Sequence, residues 1–97
     1  MPYTNEYQQE IKNSTKYLHT GKETKYNATD LKIGDKVEFL GWTATTYRAC
    51  RIVSISCFRW GVRYYLQGIK KDGTLGKYEN TADALYTEYM RKNMEVA

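Results

Sequence analysis

The sequence predicts an α+β fold: a small, strongly bent antiparallel sheet or barrel of about four strands, flanked by an N-terminal and a C-terminal helix. Three observations lead there. Tyr3, Tyr7, Ile11 and Leu18 recur near helical spacing, with Thr15 on the same side. From Leu31 the apolar period shortens to two, the mark of half-buried strands. After Asn80 the helical spacing returns, with Ala82, Leu85, Tyr86, Tyr89 and Met90 at i, i+3, i+4, i+7 and i+8. Ninety-seven residues make one domain. Within it, 1–30 reads as helix plus polar linker, 31–79 as the strand-rich part and 80–97 as an amphipathic helix.

Thr4 is a candidate N-cap and Thr20-Gly21 a candidate stop, giving a first helix over 4–18. Residues 20–30 are polar and aperiodic, which predicts a loop. Ile33-Gly34-Asp35 turns into an alternating strand, Lys36 to Leu40, and Tyr47 to Ile55 is rich in β-branched residues. Arg59 to Ile69 alternates throughout, with Trp60, Val62, Tyr64 and Leu66 on one face. Lys70-Lys71-Asp72-Gly73 is the strongest turn signal, because Asp-Gly tolerates positive φ, and a short strand returns at Thr74 to Tyr78. Asn80-Thr81 with Asp83 resembles a capping box for the last helix, whose stripe should dock on the sheet.

The phrase Leu31-Lys32-Ile33-Gly34-Asp35-Lys36-Val37-Glu38-Phe39-Leu40-Gly41 resembles the opening strand of Tudor- and KOW-type small β-barrels. Arg51-Ile52-Val53-Ser54-Ile55 is similar to the strand that follows it there, so the likeness spans 31–79. The resemblance implies a small barrel of a kind that commonly binds nucleic acid or peptides.

Catalysis finds little footing. The single histidine, His19, falls at the expected helix end with no cysteine or carboxylate motif beside it. Two cysteines and one distant histidine give no zinc spacing. Gly73-Thr74-Leu75-Gly76-Lys77 lacks the spacing of a phosphate loop and follows a hairpin turn. A non-enzyme without cofactor or metal is therefore expected. Cys50 and Cys57 are expected to be buried thiols. No secretory leader and no membrane span is predicted, so the expected location is cytoplasmic and the two sequons at Asn13 and Asn27 carry no meaning.

Charge arrangement is the main functional signal. The chain carries a net charge of +4, and no acidic residue lies between Glu38 and Asp72. That interval holds six cations, Arg48, Arg51, Arg59, Arg63, Lys70 and Lys71, and seven of the fourteen aromatic residues. Cations neutralise phosphates and ring faces stack on bases, a pairing suited to single-stranded nucleic acid. With Trp60, Val62, Tyr64 and Leu66 inward, Arg59, Arg63 and Tyr65 point outward. Placing Val53 and Ile55 inward puts Arg48 outward too, but leaves Arg51 pointing in unless a bulge intervenes. The candidate binding residues are thus Arg48, Arg59, Arg63, Tyr65, Lys70 and Lys71. The leading expectation is a basic nucleic-acid-binding protein. The alternative is a protein-protein interaction module such as a phage-type inhibitor of a host defence or transcription protein, since Tyr, Trp and Arg also anchor protein interfaces. An exposed sheet edge would leave room for a homodimer.

Overall fold

The computed structural model describes residues 16–86 together with Glu6, Glu10, Ile11 and Ser14. It is a five-stranded mixed sheet in the order β1 (Tyr17–His19), β2 (Lys36–Leu40), β3 (Arg48–Phe58), β4 (Gly61–Ile69) and β5 (Leu75–Leu85). β1 runs parallel to β2, and the other three pairings are antiparallel. This overturns the α+β expectation. Among the described elements there is no α-helix, only a 3-10 turn at Thr24–Tyr26.

The expected C-terminal helix fails because its first half is strand. Residues 80–85 also carry a period of two, with Ala82 and Ala84 buried and Thr81, Asp83 and Leu85 on the other face. β4 offers a long free edge, and register pairs from Gly61↔Leu85 to Gln67↔Glu79 fill it. Ladder bonds to a formed strand outweigh a weak local helix preference. Asn80 therefore pairs with Leu66 instead of capping, while Tyr89 and Met90 lie outside the described residues. The N-terminal helix is corrected at its end: Tyr17, Leu18 and His19 are strand, held beside Glu38, Phe39 and Leu40. Glu6, Glu10 and Ile11 have helical backbone but make up no described helix, and Tyr3, Tyr7 and Thr15 lie outside the described residues.

One face of the sheet holds the main core: Leu18, Val37, Phe39, Cys50, Ile52, Val62, Tyr64, Leu66, Ala82 and Ala84. The alternation expected in β4 holds for Val62, Tyr64 and Leu66, with Arg63 and Tyr65 on the opposite face. Arg59 and Trp60 belong to the β3–β4 turn, so Trp60 is half-buried at the hairpin tip and not in the core. β3 reverses the expected facing. Cys50 and Ile52 point inward, a bulge at Val53 shifts the register, and Ile55 then faces Tyr64. Arg51 accordingly points outward, where its Nη1 donates to the Gly34 carbonyl at 2.7 Å. The same bulge puts Cys50 and Cys57 on one face, yet only Cys50 is buried and both thiols are free. Burial pushes the Cys50 thiol upward in pKa, which keeps it protonated. On the outer face Ile11, Tyr17 and Tyr47 form a second small core with Leu40.

The sheet curls until its two ends meet. Thr20 Oγ1 donates to the Thr81 carbonyl at 2.9 Å, and Asn27 Nδ2 donates to the Asp83 carbonyl at 2.8 Å. Those carbonyls point away from β4, so Thr81 and Asp83 are non-hydrogen-bonded partners of Tyr65 and Arg63, the pair type with the closest side chains. At its other half the β5 edge is distorted, since register shifts between Gln67↔Glu79 and Ile69↔Leu75. A bulge and charged Lys77 and Glu79 blunt that edge against pairing with a second copy.

Tyr64 pins the segment before β2. Its hydroxyl donates to the Ala28 carbonyl at 3.0 Å and accepts from the Leu31 N–H at 3.2 Å. Burial raises its pKa, so the hydroxyl stays protonated and able to donate. Tyr64→Phe keeps the ring but strands both backbone groups. An expected loss of about 2 kcal/mol follows, read by urea unfolding. An unchanged midpoint would mean that water replaces the hydroxyl.

Candidate functional site

The six predicted residues do not form one surface. Arg63 and Tyr65 lie on the outer face of β4, and Arg59 is exposed in the turn before it. Lys70 and Lys71 are exposed in the β4–β5 turn, at the other end of a strand nine residues long. At about 3.3 Å per residue the two ends of β4 stand on the order of 26 Å apart, with Tyr65 midway between them. Arg48 belongs to the opposite face from Arg63, since it pairs with the buried Phe39, and its guanidinium lies over Gly68. Arg48 thus joins Lys70 and Lys71 at one end, Arg59 and Arg63 lie toward the other, and Tyr65 sits at the middle of β4.

Arg63 is also not an unpaired cation. Its Nε donates to Asp83 Oδ1 at 2.7 Å and its Nη2 to Oδ2 at 3.3 Å. Asp83 sits directly opposite in register, which explains the contact. That hydrogen bond, then the charge, holds the Arg63 guanidinium above its ordinary pKa. The guanidinium carbon also lies 5.7 Å from the Phe58 ring centre and 5.5 Å from that of Trp60. These two rings are stacked, 4.9 Å apart and 7° from parallel. A hairpin tip thereby presents two parallel rings, an arginine lying over them, and a carboxylate that fixes its plane.

Asp83 also lines a cleft of about 420 Å³, together with Thr20, Lys22, Thr24, Trp42 and Thr81. Trp42 is 68 % exposed and rests on Gly21, where any Cβ would meet the indole at 2.6 Å. Gly21 has φ +131° and accepts a short bond from Thr24 Oγ1 through its carbonyl, so a side chain is excluded twice over. Close behind is His19, whose Nδ1 is buried and without a hydrogen-bond partner. Asp83 is thus shared by two features, since it lines the cleft beside Trp42 and holds Arg63 over Trp60 and Phe58.

Of Trp42, Phe58, Trp60, Arg63, Thr81 and Asp83, sequence reasoning finds only Arg63. Trp42 and Phe58 enter it only among the aromatics of the acid-free interval, and Trp60 as one more, placed in the core. Thr81 and Asp83 resemble a helix cap, and the pairing of Asp83 with Arg63 is readable only once β5 is known to be a strand. Asn27, read as an idle sequon, is 5 % exposed with both amide atoms engaged.

The fold and its surface define a small β-rich domain. Among the described residues no helix is long and apolar enough to cross a membrane. Comparison of the chain with protein-family models, curated proteins and solved structures finds no match.

Proposed function

We propose that the chain is a non-catalytic binding module whose contact surface for a partner protein runs from Trp42 to Phe58. The observation that carries this reading is the clamped Arg63: paired with Asp83, it lies over Phe58 and Trp60. Aromatic residues and arginine, already neutralised and held in one geometry, are what protein interfaces use as anchors. Pre-ordering removes part of the entropy that binding would otherwise cost. Phosphate binding asks for the opposite, cations free to displace counterions.

Nucleic-acid binding is retained as the second reading, on one observation. Arg48, Lys70 and Lys71 share the far end of the β4–β5 hairpin with Lys77 and with Tyr78, which is 78 % exposed. The two readings separate by experiment. Affinity capture from a nuclease-treated extract of the producing cell runs beside oligonucleotide anisotropy across a salt series. The protein reading expects one specific partner, lost by roughly 30-fold or more in Trp60→Ala, with only weak oligonucleotide binding. A log–log salt slope near −3 on single strands or −3.5 on duplex would reverse the order of the readings, if Lys70→Glu/Lys71→Glu abolishes it and Trp60→Ala leaves it intact.

A further inference from the structure

We infer that the cleft beside Trp42 receives an acidic segment of the partner, with a ring-bearing side chain laid on the indole and a neighbouring carboxylate at Lys22. This rests on the protein-binding reading and names the partner's chemistry. The volume, about 420 Å³, suits one or two side chains and is far too small for a folded element. One wall is an indole face left open to solvent and backed by the bare backbone of Gly21. Such a face favours an aromatic or broad apolar group.

Charge decides the rest. Among the described residues the cleft is lined by one carboxylate, Asp83, and Arg63 donates to both of its oxygens, at 2.7 and 3.3 Å. Glu23, next to Lys22 in the chain, does not line the cleft and accepts from the Tyr17 hydroxyl at 2.8 Å. The hydroxyls of Thr20 and Thr24 are committed to the Thr81 and Gly21 carbonyls. Lys22 is exposed, and among the described residues that line the cleft its ammonium is the charge with no ion-pair partner. A carboxylate answers it, whereas a lysine or arginine from the partner would meet like charge at Lys22 and, at Asp83, a carboxylate whose charge Arg63 already balances. At the rim the preference is salt-sensitive, because exposed charges are screened within about 10 Å at 0.1 M salt.

The test titrates the whole chain with three probes: acetyl-Glu-Phe-Glu-amide, acetyl-Lys-Phe-Lys-amide and guanosine monophosphate. The readout is the NMR indole N–H signal of Trp42, distinguished from that of Trp60 by a Trp60→Phe variant. The acidic peptide should shift the Trp42 signal saturably and bind about tenfold more tightly than the basic one at low salt. Lys22→Glu should reverse that order, and Trp42→Ala should remove the shifts that both peptides cause in the backbone amide signals of Gly21 and Lys22, while leaving the spectrum of the sheet in place. Equal binding of the two peptides, or no shift at Trp42, overturns the inference. A nucleotide that binds more tightly than the acidic peptide overturns it too, in favour of a stacked base. Since the wider surface is tested at Trp60, outside the cleft, failure here is distinguishable from failure of the protein-binding reading.

Discussion

Gly61→Ala is expected to destabilise the protein by roughly 4 kcal/mol, above the 1–3 kcal/mol usual for an overpacked site. Gly61 opens β4 at the point where three strands meet, paired with Phe58 on one side and Leu85 on the other. Its φ is +154°, a conformation that L side chains rarely adopt. A Cβ there would fall far inside van der Waals contact with the Ala84 carbonyl oxygen and 2.9 Å from the Leu85 Cα. Both obstacles are backbone, so no rotamer change relieves them. Only separation of β4 from β5 does, and that breaks the bond from the Tyr86 N–H to the Trp60 carbonyl, 2.9 Å long. Gly73→Ala is the control. Its φ is +88°, but nothing lies within 4 Å of the added carbon, so only the conformational cost of about 1–2 kcal/mol applies. At about 4–8 °C per kcal/mol for a domain of this size, the two variants should melt roughly 8–24 °C apart. Equal melting temperatures would show that the hairpin tip yields. The separation of β4 from β5 would also loosen Arg63 from Asp83, so the clamped surface and the stability of the tip should fail together.

How much of this was legible follows from where local pattern and tertiary context agree. β4 is paired on both sides, by β3 and β5, and Val62, Tyr64 and Leu66 alternate without interruption, so its two faces can be read directly. The Asp72-Gly73 turn was equally plain: Gly73 takes the positive φ, and Asp72 Oδ1 accepts from the Thr74 N–H and hydroxyl at 3.0 and 2.6 Å. β3 misled because Ile52 and Val53 are adjacent and both β-branched. Strict alternation can satisfy Cys50 and Ile52 or Val53 and Ile55, and only a bulge satisfies Cys50, Ile52 and Ile55 together. β5 misled because alanines and an Asn-Thr pair are good helix material, while the free edge of β4 that claims them is invisible in the local sequence. The acid-free interval was a true feature of the chain but not of the surface. Asp83 lies outside it in sequence and returns to its middle through β5, against Arg63. A charge pattern along the chain predicts a charge pattern in space only within one strand or helix.

Asn27→Ala should cost about 3–4 kcal/mol, although its side chain covers little apolar surface. The residue joins the two ends of the curled sheet. Its Oδ1 accepts from the His19 N–H at 3.0 Å, and its Nδ2 donates to the His19 carbonyl at 2.7 Å and to the Asp83 carbonyl at 2.8 Å. Removing the amide strands three backbone groups beneath a covered seam, each at about 1–3 kcal/mol, discounted where water can enter. β1 suffers most, because a strand of three residues has few other bonds to hold it. Thr20→Val is the comparison, since the bond it removes to the Thr81 carbonyl is exposed and worth roughly 1 kcal/mol or less. Amide exchange should therefore accelerate at residues 17–19 in Asn27→Ala far more than in Thr20→Val, with exchange at Tyr64 and Leu66 changing only as global stability does. Equal effects of the two substitutions would place the closure in the packing of Leu18, which is fully buried, and not in the amide. The cleft is built on this same seam, from Thr20 and Trp42 on one side of the closure and Thr81 and Asp83 on the other. Loss of Asn27 should thus weaken binding at Trp42 even at temperatures where the sheet remains folded, whereas Thr20→Val should leave most of it in place.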